Sequence, residues 1–384
     1  MAWFIALLTA GSGLALIGLG VVCDRSWLDH HILPHMFVTR AEQVLWWKAG
    51  RMAALCTGAV TVCIGAPLAW RRVRRGTKRD LVVRAIQLAL AVLLSLITSE
   101  LALRGLRAQK FARWAAREEP LRGADALRGW SNIPNRTGYE DYYGQHIIYR
   151  IDAAGIRIGG HQIDPARPSI LFTGESIMFG YRLNWPQTIA GQIEARSGLQ
   201  SVNLAVNGYG TDQSFMPLAG QLDRFARPVA VVALFTPALI ERNLGDDRPR
   251  LDAALRWHGP ARHWGLYRLA RNLIPYRSSR QVEDGIARSR AVLQATVDAA
   301  HARHARALIL VPSFTAENPI ERMIRRRVLD DAALPYIFVR LDPRWHLPND
   351  GHPDARANRV MAQAVMAGLD RQNGERLRSA FIQR

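Results

Sequence analysis

Cysteine is nearly missing from this chain: among 384 residues only Cys23, Cys56 and Cys63 carry a thiol. All three fall in or beside apolar runs near the N-terminus, so neither a disulfide framework nor a cysteine-based metal cluster can be built in the remainder. Lysine is almost as scarce, at Lys48, Lys78 and Lys110, yet the formal net charge is +19, so the excess is arginine. A charge of that size suits a nucleic-acid partner. No finger, RNP or basic-zipper pattern accompanies it, however, and the arginines are scattered, so no nucleic acid is expected. Solvated surface and contact with anionic lipid head groups account for the charge better. The histidines His258, His263, His301, His304 and His346 are dispersed. His301 and His304 share a helix face, but no carboxylate or cysteine completes a zinc site there. Gly208-Tyr-Gly210 lacks the lysine and the third glycine of a phosphate loop. No cofactor is therefore expected, and no internal repeat stands out.

Long apolar runs are present, and they lie at the start. Ala2 to Cys23 and Met52 to Trp70 are free of charge, and each is long enough to cross a hydrocarbon core as a helix. A third run, Leu81 to Leu103, carries Arg84 near one end and Glu100 near the other, both placed to snorkel toward water. The first run has no basic n-region, which favours a permanent helix over a cleaved signal peptide. Between the second and third runs lies Arg71-Arg72-Val-Arg74-Arg75-Gly-Thr-Lys78-Arg79, whereas Asp24 to Lys48 balances its charges. The basic loop should stay in the cytoplasm, which puts everything after the third span outside. Leu106 to Arg128 reads as an arginine-rich amphipathic helix at the membrane surface or as a solvated linker.

The remainder alternates in the manner of a parallel sheet. Strands are predicted at Ser169–Thr173, Ser201–Ala205, Val229–Phe235, Ala307–Val311 and Tyr336–Arg340, separated by helical segments near Trp185–Ser197, Gln213–Phe225, Val282–Arg303 and Glu317–Leu329. Continuous apolar strands between amphipathic helices predict a three-layer α/β domain with a parallel sheet. Trp130 to Gly160 reads as strands and turns; Tyr139, Tyr142 and Tyr143 there either pack or line a substrate rim. Leu244 to Ser279, with Trp257, Trp264 and Tyr267, has no clear period and reads as an insertion over the site or against the membrane.

Two stretches point to chemistry. Ile170-Leu-Phe-Thr-Gly-Glu-Ser176-Ile-Met-Phe-Gly180 is an apolar run that stops at Gly174 and presents Glu175 and Ser176 where a strand hands over to a helix. Ligands of open α/β sheets bind at the carboxyl ends of strands. The α/β-hydrolase elbow needs a glycine two residues after the serine; Met178 stands there, so that elbow is not expected. Near the C-terminus, Asn349-Asp350-Gly351-His352-Pro353-Asp354 precedes a helical spacing of Ala357, Val360, Met361, Ala364, Val365 and Leu369. Gly351 would let the Asp350 carboxylate fold back onto the His352 imidazole. The plain alternative is a turn and a helix cap, with Asp354 as the cap. His346 is a second candidate base, but Asp342 is not at loop spacing from it.

In this order, Gly174-Glu-Ser176, Asn203-Leu-Ala-Val-Asn-Gly208-Tyr-Gly210-Thr-Asp-Gln213 and Asp350-Gly-His352 resemble the SGNH/GDSL hydrolases, in particular the bacterial membrane-attached type. The resemblance runs from about Arg150 to Gly368 and, together with the apolar runs, divides the chain into a membrane anchor with three transmembrane helices over 1–105, a juxtamembrane helix or linker and β-rich lead-in over 106–160, and an SGNH-like domain over 161–384, for which it implies a three-layer α/β/α, flavodoxin-like fold. It implies that Ser176 is the nucleophile, His352 the general base and Asp350 its orienting carboxylate, with the backbone N–H groups of Ser176 and Gly208 facing the oxyanion. The family's Asp before the serine is Glu175 here. Its Gly-x-Asn-Asp block should follow Val229 to Phe235, where this chain reads Thr236-Pro-Ala-Leu-Ile-Glu-Arg-Asn243. That asparagine supplies an oxyanion donor, and loss of one such donor costs roughly a hundred- to a thousandfold in turnover elsewhere. The departure is compatible with a slow enzyme or with one that recruits Asn243, Asn207 or Thr236 as a stand-in. The implied activity is a membrane-anchored, extracytoplasmic serine esterase acting on an O-acyl or O-acetyl ester of a carbohydrate or lipid, embedded among membrane lipids. An O-acyltransferase for exported polysaccharide and an inactive SGNH-like binding domain are the alternatives. The sequence sets no oligomeric state.

Overall fold

A computed structural model describes residues 2–36, 38–74, 78–117 and 121–382. By its internal contacts the chain forms two units, one of Met1–Leu33, Val38–Ala112 and His263–Ser279, the other of Pro34–Phe37, Arg113–Arg262 and Arg280–Arg384.

The first unit is helical. It contains α1 (Ala2–Val22), α2 (Arg25–His31), α3 (Arg40–Val60), which passes through a π turn at Thr61–Gly65 into α4 (Ala66–Arg74), and α5 (Lys78–Arg117). Three stretches are long and apolar enough to cross a membrane: Trp3–Val22, Arg40–Arg74 and Ala85–Leu106. They cover the three runs read from the sequence. α1 and α3 meet through glycines: a Cβ on Gly13 would sit 2.8 Å from the Gly58 carbonyl oxygen, and one on Gly58 would sit 2.7 Å from that of Gly13. Small residues let apolar helices approach this closely where no water drives them together. Of the basic loop Arg71 to Arg79, residues 75–77 lie outside the described residues, as does the side chain of Arg84.

Two expectations are corrected here. The separate helix over Leu106 to Arg128 does not form as such. Its first half continues α5, because the stretch to Arg117 is built mainly of Ala, Leu, Arg and Gln and contains no proline. Its last part enters a β-hairpin. Glu100 does not reach for water either. It is 9% exposed, and its two carboxylate oxygens accept the N–H groups of Gly265 and Leu266 at 2.9 and 3.0 Å, while Arg104 Nε donates to it at 2.8 Å.

The second unit opens with hairpins, β1 (Arg122–Asp125) with β2 (Gly129–Asn132) and β3 (Arg136–Tyr142) with β4 (Gln145–Ile151), followed by β5 (Arg157–Ile158). The chain then runs β6 (Ser169–Thr173), α6 (Ser176–Phe179), α7 (Ile189–Ser197), β7 (Gln200–Asn203), α8 (Thr211–Gln221), β8 (Pro228–Leu234) and α9 (Leu239–Asn243). A small hairpin of β9 (Arg250–Leu251) and β10 (Trp257–His258) comes next; α10 (Gly265–Leu273) belongs to the first unit. The second unit closes with α11 (Ser279–Ala302), β11 (Arg306–Ser313), α12 (Pro319–Arg325), β12 (Tyr336–Arg340) and α13 (Ala355–Ile382).

Eight strands form one sheet in the order β12-β11-β8-β6-β7-β5-β4-β3. The first five are parallel, and the hairpin strands extend that sheet antiparallel from β7. Every residue of β6 is buried, as are residues 230–234 of β8 and the interior of β11. Strands buried on both faces must be covered by helices on both sides, which makes this the predicted three-layer α/β arrangement. α13 covers β11 and β12 with Met361, Val365 and Leu369, spaced one helical turn apart and each at most 3% exposed. β7 stops at Asn203 instead of running to Ala205, because the Asn203 side-chain oxygen accepts the Ala205 N–H at 3.1 Å and turns the chain. Within the parallel set, β6 is flanked by the next strand in the chain on one side and by β8 on the other. That reversal opens a crevice at the carboxyl ends of β6 and β8.

Candidate active site

The turn after β6 is built by steric necessity. Gly174 has no room for a side chain, since a Cβ would lie 2.7 Å from that of Met178 and 3.0 Å from that of Leu234. Glu175 is the N-cap of α6, and Gly180 ends the helix in the left-handed region at φ 80°. Between them Ser176 opens the helix at the mouth of the crevice, 5% exposed. The segment beyond α6 is clamped by Arg157, which is fully buried. Its guanidinium donates to the carbonyls of Phe179, Gly180 and Leu183 and lies 4.6 Å over the Phe179 ring and 4.9 Å over that of Tyr149. Burial pulls its pKa down to about 10.

The C-terminal loop is closed by its own backbone: Leu347 N–H donates to His352 O at 2.9 Å, and Asp350 N–H to Leu347 O at 3.1 Å. It brings His352 Nε2 to 2.7 Å from Ser176 Oγ, across 176 residues of sequence. On the other side of the ring, His352 Nδ1 lies 2.5 Å from Asp350 Oδ1. An ionised carboxylate only accepts, so Nδ1 carries the proton and Nε2 is left to face the serine. Asp354 also caps α13, accepting the N–H groups of Arg356 and Ala357 at 2.9 and 3.0 Å. The loop is therefore both the plain cap and the convergence of side chains. His346 is turned elsewhere, its Nδ1 2.9 Å from the Gly351 carbonyl and its ring 3.8 Å from that of Phe314.

Residues not singled out in the sequence support this relay. Arg182 Nη1 pairs with Asp350 Oδ2 at 2.7 Å, and its Nε with Glu140 at 2.8 Å. Tyr149 hydroxyl donates to Glu140 at 3.0 Å and accepts the Arg182 N–H at 2.9 Å. Arg182 and Asn349 both take a left-handed backbone, at φ 58° and 51°, a conformation that costs a non-glycine residue about 1–2 kcal/mol. The β3–β4 hairpin steadies the loop directly: Tyr142 hydroxyl donates to Pro348 O, and Asn349 Nδ2 donates to Tyr143 hydroxyl. Tyr139 stays 62% exposed, stacked on His146.

Burial alone would raise the Asp350 pKa, but hydrogen bonds from His352 and the nearby Arg182 charge outweigh it and hold the carboxyl below its ordinary value. The stability this group contributes is complete above the ordinary carboxylate range and is lost as pH falls through the lowered value. Arg182→Gln is expected to weaken that depression, so the acid-side fall of the thermal midpoint is smaller and levels off at a higher pH than in the wild type. Coincident acid limbs for the two proteins would disprove the coupling.

The oxyanion side departs from expectation. Ser176 N–H is not open: it donates to Glu175 Oε2 at 2.7 Å, and Ile177 N–H donates to Oε1 of the same carboxylate at 3.0 Å. Glu175 Oε2 also meets Ser176 Oγ, so the carboxylate and the imidazole face one hydroxyl proton. A glutamate arm reaches back this far. Arg242 Nη1 lies 3.3 Å from the same oxygen. Asn243, one of the expected stand-ins, is corrected: it is fully buried, its amide accepts the Thr211 N–H at 2.8 Å and donates to Ser289 Oγ at 2.8 Å, and it joins α8 to α11. Thr236 lies two residues past the end of β8, and its hydroxyl contacts Met36 Sδ at 3.4 Å. Gly208 takes φ 84°, and the preceding carbonyl, of Asn207, is held by Arg122 and Trp130, both at 2.9 Å. The Asn207 side chain is 6% exposed, with its Oδ1 unpartnered among the described residues.

No family model and no curated protein matches the chain. Among solved structures it is similar to a member of the lipolytic protein G-D-S-L family from Veillonella parvula, at 11% identity over 52% of this chain and 96% of that one, with a TM-score of 0.32. It is similar also to a GDSL-like lipase from Bacteroides thetaiotaomicron, at 13% over 53% and 88%, TM-score 0.32. A third is an acetyl xylan esterase from the rumen bacterium Butyrivibrio proteoclasticus, at 10% over 56% and 66%, TM-score 0.34. None of these likenesses assigns a role to a residue of this chain.

Proposed function

We propose that the chain is a membrane-anchored serine esterase of the SGNH type, with its α/β unit on the extracytoplasmic face, periplasmic in a bacterial inner membrane. It would hydrolyse an O-acyl or O-acetyl ester on a carbohydrate or lipid. The reading rests on one observation, the 2.7 Å approach of His352 Nε2 to Ser176 Oγ with Asp350 on the opposite ring nitrogen. Ser176 Oγ attacks the ester carbonyl as its proton passes to His352 Nε2. The tetrahedral oxyanion collapses, and the C–O bond to the alcohol breaks as His352 returns that proton to the leaving oxygen. Water then attacks the acyl-enzyme, again losing a proton to His352, and the acid departs while Ser176 recovers its hydroxyl hydrogen.

For this cycle the Glu175 carboxylate has to release the Ser176 N–H, which then joins the Gly208 N–H at the oxyanion. Arg242 supports such a release, since it offers the freed carboxylate oxygen another partner. A second reading, a binding domain without turnover, is favoured by that same carboxylate sitting on the donor in the resting structure. The test is a fluorophosphonate probe on the detergent-solubilised protein. Wild type should be labelled and Ser176→Ala should not; an unlabelled, folded wild type supports the binding domain instead. Acetyl release that strictly requires a sugar acceptor would point to the transferase.

A further inference from the structure

Helix α10 carries an apolar side that the first unit leaves uncovered. By helical spacing Tyr267, Leu269, Ala270 and Leu273 lie on one arc, and Arg268, Arg271 and Asn272 on the other. Tyr267, Leu269 and Leu273 are 50%, 40% and 72% exposed, and Trp264 and Ile274 at the two ends are 70% and 65% exposed. A contiguous face of this kind marks an interaction surface.

One end of the helix is fastened to an apolar span of the same unit and the other to α2, which directly follows another span. At its N-terminus the first two N–H groups, which no intrahelical carbonyl can satisfy, are taken by Glu100. Glu100 sits in the last turns of the span Ala85–Leu106. Just past the C-terminus, Tyr276 stacks on Trp27 of α2 at 5.7 Å, Arg277 N–H donates to His31 O at 2.8 Å, and His31 Nδ1–H donates back to Arg277 O at 2.7 Å. α2 begins at Arg25, directly after the span Trp3–Val22 ends. The ends of two membrane spans mark the level of the membrane–water boundary. A helix about 14 Å long, fixed at both ends to that level, lies along the boundary instead of crossing it.

We propose that α10 is an in-plane membrane anchor, whose Trp264, Tyr267, Leu269, Leu273 and Ile274 enter the head-group region of the bilayer that holds the three spans. The occupant of the exposed face is lipid because the face is continuous with spans already suited to lipid. Tryptophan and tyrosine at this level are suited to a site that is apolar below and wet above. Penetration by such helices is about 5–10 Å. Glu100 then has a structural purpose: it satisfies two N–H groups where water is scarce.

The test uses the full chain in lipid nanodiscs, with Cys23, Cys56 and Cys63 replaced by alanine and a spin label attached at Leu273→Cys or Asn272→Cys. At 273 relaxation by dissolved oxygen should persist and relaxation by an aqueous nickel complex should be lost; at 272 the nickel complex should act. Equal aqueous access at both positions overturns the proposal. So does shielding of 273 from both reagents, which would mean that protein covers the face. Should the cysteine-free background fail to fold, Trp264→Phe in the native background should reduce fluorescence quenching by lipids brominated near the glycerol; unchanged quenching overturns the proposal equally.

Discussion

Ser176→Ala and His352→Ala should each lower ester turnover by about a hundred thousand- to a millionfold, and the double substitution should lower it no further. In the proposed cycle the hydroxyl and the imidazole, 2.7 Å apart, carry out one proton transfer between them, so removing either removes the whole event. What remains is the contribution of binding and backbone donors, roughly a thousand- to ten-thousandfold over water. The measurement is kcat with an activated aryl acetate for the three variants in detergent. Multiplying losses, or a Ser176→Ala protein that keeps its turnover, would show that the hydroxyl and the ring do not work as one device.

Arg157→Ala should destabilise the α/β unit by about 3–5 kcal/mol. The guanidinium is fully buried and serves three carbonyls at the end of α6 and just beyond it. Its loss strips the Leu183 carbonyl of its donor and leaves the Gly180 and Phe179 carbonyls only the Leu183 N–H at 3.2 Å and Asn203 Nδ2 at 3.5 Å; a buried acceptor without a partner costs about 1–3 kcal/mol where water cannot enter. It also removes the cation between the Tyr149 and Phe179 rings. For a unit of this size the thermal midpoint should fall by roughly 10 °C. The same clamp positions Tyr181 and Arg182, whose ring and guanidinium lie against His352 and Asp350. Turnover per folded molecule should therefore fall as well. An unchanged melting curve would mean that the segment holds itself.

The parts of the site written as short local patterns were legible. The unbroken apolar run Ile170-Leu-Phe172 inside Ser169–Thr173 marks a strand buried on both faces, and glycine, glutamate and serine after it mark the turn. Asp350 and His352 share a loop short enough for their contact to be local. Arg182 could not be read this way, because its partners Glu140 and Asp350 lie 42 and 168 residues away. The place of Asn243, at the end of α9, says nothing of where its amide points; packing turns it toward Thr211 and Ser289. Glu175 was read as a longer copy of an aspartate. Only coordinates show that the added length brings its carboxylate onto the Ser176 N–H.

By itself, then, the chain's order of residues determined three apolar helices, the alternation of strand and helix, and the two turns that bear Ser176 and His352. Those features depend on periodicity and backbone freedom over a few residues. The tertiary structure decided which side chains face one another at the crevice, which candidate donors are already spent, and that Glu100 caps a distant helix. Such pairings follow from strand order and packing across a hundred residues or more, where no local spacing can specify them.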